Sequence, residues 1–161
     1  MGGVLNAYTS REQTVYYAKV FKKDVHQAID ILSDILLNSK FDPAAIENER
    51  GTILREMEEV NKDEHEVIFD LLHSSAFQGS PLGRTILGPE ENIKSIKRND
   101  LVDFVQSNYH APRMVISAAG DIKHNDIVQY AEKSFGGLSV SSVPQRPKIP
   151  FTGSLITLRD D

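Results

Sequence analysis

From Asp42 to about Phe77 the chain repeats Ile46, Ile53, Met57, Val60, Val67, Ile68, Leu71 and Leu72 at helical spacing, a pattern that commits this whole stretch to helix. Asp42 before Pro43 marks the start. The carboxylate can cap free backbone N–H groups, and proline fits the first helical position without losing a hydrogen bond. On the other side, Glu49, Glu56, Asp63 and Asp70 recur every seven residues, close to two helical turns, with Glu59 and Glu66 on the flank. The pattern predicts a helix with one acidic stripe and a bend near Asn61-Lys62-Asp63. Taken alone, such a stripe is a solvated helix face.

The remaining segments alternate irregularly. Val4 to Tyr8 and Gln13 to Phe21 are rich in β-branched and aromatic residues around a polar Thr9 to Glu12, which predicts a hairpin. Asp24 with Gln27 resembles a capping box ahead of an amphipathic helix through about Asn38. Gln78 to Pro89 is punctuated by glycine and proline and reads as an irregular connection, followed by a short helix over Glu90 to Ile96. Asn99 or Asp100 caps a further helix through Tyr109, with Leu101, Phe104 and Val105 inward. A strand is expected over Arg113 to Ala119, a helix from about Asn125 to Phe135, and a last strand over Ser154 to Arg159. These elements predict an α+β fold, with helices packed on a mainly antiparallel or mixed sheet. The expected divisions are one domain over 1–138, a Pro/Ser-rich linker over 139–150, and the start of a following strand region over 151–161.

Composition narrows the chemistry. With 161 residues, 40% hydrophobic and 25% charged, the chain can bury a substantial core and has no apolar run near the roughly 18 residues of a membrane span. A formal charge of −5 argues against nucleic acid and suits a basic peptide. Without cysteine, any zinc site must use histidine and carboxylate ligands. None of His26, His65, His73, His110 and His124 stands in a His-x-x-Glu-His pattern, and His65 and His73 are eight apart, a poor spacing for one face. Both read as structural or surface histidines. Arg84 and Arg113 read as loop ties.

Three segments carry a resemblance: Leu5-Asn6-Ala7-Tyr8-Thr9-Ser10-Arg11-Glu12-Gln13-Thr14, Ile53-Leu54-Arg55-Glu56-Met57-Glu58-Glu59-Val60, and Pro81-Leu82-Gly83-Arg84-Thr85-Ile86-Leu87-Gly88-Pro89. Together they resemble the mitochondrial processing peptidase family, zinc metallopeptidases with an inverted His-x-x-Glu-His motif. The likeness runs from Gly3 to about Asp161. It implies a fragment in which the metal motif lies upstream of the first residue, so that two of three zinc ligands and the general base are absent and the fragment is inactive alone.

By that resemblance Glu56 matches the third Zn2+ ligand, and Glu49, two turns earlier, a carboxylate that supports the site from outside. Glu66 and Asp70, four apart, can present two carboxylates to one guanidinium. In the family the matching pair recognises the arginine two residues before the cleavage point of a presequence. Asn6 and Ala7 match a strand along which substrate binds, a plausible task for an exposed edge that pairs with any extended backbone.

The partners implied are a processing peptidase α subunit and basic mitochondrial presequences, in the matrix or at the matrix face of the inner membrane. Two other readings stand beside this one. The family's fold also serves as a core subunit of the cytochrome bc1 complex, and a truncated module could bind presequences without cleaving them. The joint presence of Glu49, Glu56, Glu66 and Asp70 favours the peptidase, since a purely structural subunit has no chemical need for the set.

Overall fold

Asp42 opens its helix as its position before Pro43 requires. In the computed structural model, which describes residues 2–140 and 148–157, its Oδ1 accepts from the N–H groups of Ala44 and Ala45 at 2.9 and 3.0 Å. The elements are strands β1 (Val4–Thr9) and β2 (Thr14–Lys19), then helices α1 (Val25–Leu37), α2 (Pro43–Val60), α3 (Glu64–Ala76), α4 (Glu90–Ser95), α5 (Arg98–Asn108) and α6 (His124–Phe135). The fold is helix-rich α+β, its described sheet being the single hairpin β1–β2. Contacts divide the chain into two units. One holds the strands, Thr14–Phe41 and the segment from Asn99; the other holds the hairpin turn Thr9–Gln13, Asp42–Arg98 and the C-terminal residues.

In the first unit α1 packs on α6 and on β2. Ala28 and Ile29 are its buried apolar residues. His26 meets Tyr130 edge-on at 4.7 Å between ring centres, and Ser134 Oγ donates to Asp30 Oδ1 at 3.1 Å, so one face of α1 is stitched to α6 by both apolar and polar contacts. Asp24 does not act as the expected cap. A 3-10 turn over Lys22–Asp24 runs straight into α1, Asp24 takes a non-extended backbone, and its side chain bonds none of the first N–H groups. Phe104 also departs from its expected place, being 58% exposed.

The hydroxyls of Tyr16 and Tyr109 lie 3.1 Å apart in this unit. Burial, then this hydrogen bond, push the Tyr16 phenol well above its ordinary value near 10. A raised folded value means that the fold favours the neutral phenol. Its contribution is complete below about pH 10 and fades as pH rises beyond it. Melting of wild type and Tyr16→Phe in parallel should show the wild type more stable near neutrality, with the gap narrowing by about pH 11. A gap that stays constant across that range would refute the assignment.

Met114 to Ala119 does not form the expected strand. A 3-10 turn over Ala111–Arg113 leads into backbone with no ladder partner among the described residues, and Val115 is 91% exposed. A β-branched run becomes a strand only where a neighbour completes its hydrogen bonds. Residues 154–157 form no strand either, and the remainder of that expected element lies outside the described residues, as do 141–147 of the expected linker.

The second unit is built on α2, α3 and α4. The helix predicted through Phe77 becomes two helices, broken at the expected bend over Asn61-Lys62-Asp63. After Val60 the N–H groups of Lys62 and Asp63 bond the carbonyls of Glu59 and Val60, which tightens the last turn and ends α2. Asp63 then caps α3, its Oδ1 accepting from His65 N–H at 2.9 Å. Ile68 and Leu72 are exposed, while Val67 and Leu71 are half-buried. Beyond α3, Thr152 bonds the carbonyls of Ser75 and Ala76 and takes the N–H of Gln78, so one threonine satisfies the C-terminal end of the helix. Gly83 follows in a 3-10 turn, where a Cβ would meet the Phe77 carbonyl oxygen at 2.4 Å. Only glycine permits that approach.

Arg50 ties α2 to α4. Its guanidinium donates to the carbonyl oxygens of Ile93 and of Ile96, the latter at 2.8 Å, and to both carboxylate oxygens of Glu47 at 3.1 and 3.0 Å. The hydrogen bonds and charge of Arg50 hold the Glu47 carboxyl below the usual glutamate range.

Candidate functional site

Glu49 and Glu56 lie two turns apart on α2, and both are exposed. Neither makes a hydrogen bond or an ion pair among the described residues, in contrast to Glu47 and Glu59, which bind Arg50 and Lys62. Glu58 is bare as well, so three of the five carboxylates of α2 are unpaired among the described residues and only Glu47 and Glu59 are paired. Solvated glutamates carry no energetic penalty, so this arrangement is available for a ligand without being required by the fold.

Glu66 and Asp70 share one face of α3 because four residues make about one turn. Glu66 lies in the first turn, where the positive end of the helix dipole favours a negative charge. It is exposed and without an ion-pair partner among the described residues. Asp70 differs. Its Oδ1 accepts from Arg11 Nη2, forming an ion pair with side-chain exposures of 13% for Arg11 and 26% for Asp70.

Arg11 is the residue that sequence reasoning missed. It stands in the hairpin turn, 59 residues before Asp70, and local spacing carries no signal for so remote a pair. The turn itself is closed by Ser10 N–H donating to the Gln13 carbonyl at 2.8 Å. Arg11 Nε is buried and has no acceptor among the described residues. One prong of the guanidinium is thus engaged and another is idle.

The predicted stripe is only partly assembled. Glu49 and Glu56 share a face of α2, and Glu66 and Asp70 a face of α3, but Asp63 is spent as the cap between the helices. Asn6 and Ala7 sit in β1, every residue of which is exposed, and β1 pairs with β2 alone among the described strands. The N–H of Ala7 donates to Asn6 Oδ1 at 2.8 Å.

No group of three or more His, Cys, Asp and Glu side chains among the described residues is gathered to hold a metal ion. His65 and His73 are occupied as expected of structural histidines: His65 stacks edge-on with Phe69 at 5.4 Å, and His73 Nδ1 lies 2.8 Å from the Phe69 carbonyl oxygen.

Comparison with known proteins agrees with this architecture. The pattern of the insulinase family, peptidase family M16, matches residues 1–90, and that of the M16 inactive domain matches residues 95–160. The chain is 55% identical over 164 residues to the mitochondrial-processing peptidase subunit beta of Rattus norvegicus, covering 100% of this chain and 34% of that protein. It is 55% identical over 168 residues to the subunit of the same name from Lentinula edodes, covering 100% of this chain and 36% of the relative. The chain thus spans about a third of the length of the curated relatives it matches. Among solved structures, a chain of complex III2 from Candida albicans with Inz-5 bound superposes with a TM-score of 0.86, at 23% identity, over 99% of this chain and 39% of that one. At that identity the likeness speaks for the fold. Since the insulinase pattern takes in residues 1–90 of 161, from the hairpin through α2 and α3 to Glu90, the chain belongs to peptidase family M16.

Proposed function

We propose that the chain is part of the catalytic β-type subunit of a zinc endopeptidase that removes basic N-terminal presequences from proteins imported into mitochondria, working with an α subunit. The observation that carries this reading is the 54–55% identity to processing peptidase β subunits along the whole chain. The bare carboxylates of α2 support it. Glu56 would be the carboxylate ligand of Zn2+, beside two histidines from a His-x-x-Glu-His segment of the full-length protein, and Glu49 would orient that site from outside. When bound, the metal supplies an activated water at neutral pH. The described residues alone provide one ligand, so this chain by itself should not cleave peptides.

What this chain contributes to substrate is charge and backbone. Glu66 and Asp70 would receive the arginine two residues before the cleavage point, since two carboxylates one turn apart match a guanidinium better than an ammonium. The exposed strand β1, with Asn6 and Ala7, would take the extended peptide by backbone hydrogen bonds. The second reading, a core subunit of the cytochrome bc1 complex in the same organelle, needs none of these side chains and draws on the fold likeness alone.

The test uses the full-length subunit assembled with its α subunit and a pair of presequence peptides that differ only by arginine or norleucine at that position. Asp70→Asn should raise KM for the arginine peptide by about tenfold and leave the norleucine peptide within about twofold. An unchanged preference for arginine would remove Asp70 from substrate recognition.

A further inference from the structure

Resting on the reading of Glu66 and Asp70 as a guanidinium receptor, a consequence follows from what already occupies Asp70. A guanidinium of the chain itself is there. Arg11 reaches Asp70 from the hairpin turn with its side chain 13% exposed, and its Nη2 donates to Oδ1. Arg11 Nε is buried with no acceptor, and no second bond joins the two side chains.

Arginine and a carboxylate pair best through two parallel N–H···O bonds. This pair uses one. It also leaves a buried donor unsatisfied, which takes back part of what the single bond contributes. With Arg11 on Asp70, the face of α3 presents the bare charge of Glu66 rather than two negative charges. A newcomer that can make the two-pronged contact with Asp70 while also facing Glu66 is better placed than Arg11. A lysine ammonium has the charge without the fork, and an apolar side chain has neither.

We propose that Arg11 is an internal competitor at this receptor: it occupies Asp70 in the free protein and is exchanged for the arginine of a bound peptide, so that a cationic ligand gains the site only by displacing it. Arg11 then weakens every ligand that needs Asp70 by one common factor, set by the fraction of the protein in which Asp70 is free.

The experiment measures kcat and KM of the full-length, assembled enzyme on three presequence peptides that carry arginine, lysine or norleucine two residues before the cleavage point. For Arg11→Gln, KM for the arginine peptide should fall by about fivefold and that for the lysine peptide by no more than the same factor, with kcat unchanged and the norleucine peptide unmoved. Arg11→Lys keeps a cation beside Asp70 and should stay within about twofold of wild type on the arginine peptide. An Arg11→Gln enzyme with unchanged or raised KM for the arginine peptide overturns the proposal, and so does an equal loss on all three peptides, which marks a structural residue. Asp70→Asn in the same assay separates the two claims. If it leaves the arginine preference intact, the receptor reading fails; if it flattens the preference while Arg11→Gln does not tighten binding, only the exchange fails.

Discussion

Glu56→Gln in the full-length, assembled subunit should lower presequence cleavage by about a thousandfold, on the order of 4 kcal/mol in activation free energy, with loss of bound zinc and, once zinc is stripped from both proteins, no change in melting temperature relative to wild type. The combination follows from where Glu56 sits. Its side chain is exposed on α2 and bonds to nothing among the described residues, so an amide of the same shape disturbs no packing and orphans no partner. A zinc site needs its carboxylate for charge as well as for geometry, and glutamine supplies a neutral oxygen only. Metal analysis and melting curves on the purified variant complete the check. Wild-type zinc content with wild-type turnover would remove Glu56 from the metal, whereas loss of activity accompanied by a lower melting temperature of the zinc-free protein would point to a structural role that its exposure does not suggest.

Arg50→Met should lower the urea midpoint by about half a molar with an unchanged slope. Methionine keeps most of the apolar stem, so the loss isolates the guanidinium. That group, 15% exposed, satisfies the carbonyls of Ile93 and Ile96, and Ile93 itself is only 5% exposed. Removing the donor strips the half-buried Ile93 carbonyl of this partner, the costly direction of hydrogen-bond deletion, whereas the carbonyl of Ile96, itself 39% exposed, can turn to water. The contribution of Glu47 is small by comparison, because an exposed pair three residues apart is weakened by solvent. An unchanged midpoint would mean that water reaches the whole end of α4 and takes over both bonds.

The difference between these two residues marks what a sequence makes legible. Asp42 before Pro43 foretold the start of α2 because capping is local chemistry, settled within three residues. The same locality misled at Asp24. A capping-box spelling was present, but the preceding 3-10 turn gave Asp24 a backbone from which its carboxylate bonds no N–H group of α1. Asp63 was read by periodicity as one more member of a stripe, when its short side chain served the break between helices better. Periodicity placed Phe104 and Leu72 inward and the structure leaves both exposed, since a helix pattern identifies an apolar face without saying how much of it is covered. For Met114 to Ala119, β propensity could not provide the partner strand that a ladder requires, and no strand forms.

The candidate site divides in the same way. Glu56, Glu49, Glu66 and Asp70 were found by resemblance and spacing, and the two helices present them as pairs. Arg11 could not be found so, because nothing in a polar turn indicates which distant carboxylate an arginine will meet. The tie from Arg50 to α4 was hidden for a related reason: its acceptors are backbone carbonyls, which every residue possesses and no side-chain pattern advertises.

An exposed strand with an unpaired side invites any other extended chain, including a misfolded neighbour or a second copy of the same protein. In β1 the N–H of Ala7 is held by the Asn6 side chain, so one of the donors that a stray strand would need is already spoken for. The contact is local and costs little to open, yet a partner must displace it before pairing can spread along the strand. The Asn6 side chain thereby raises the threshold for edge-to-edge association along the described part of β1.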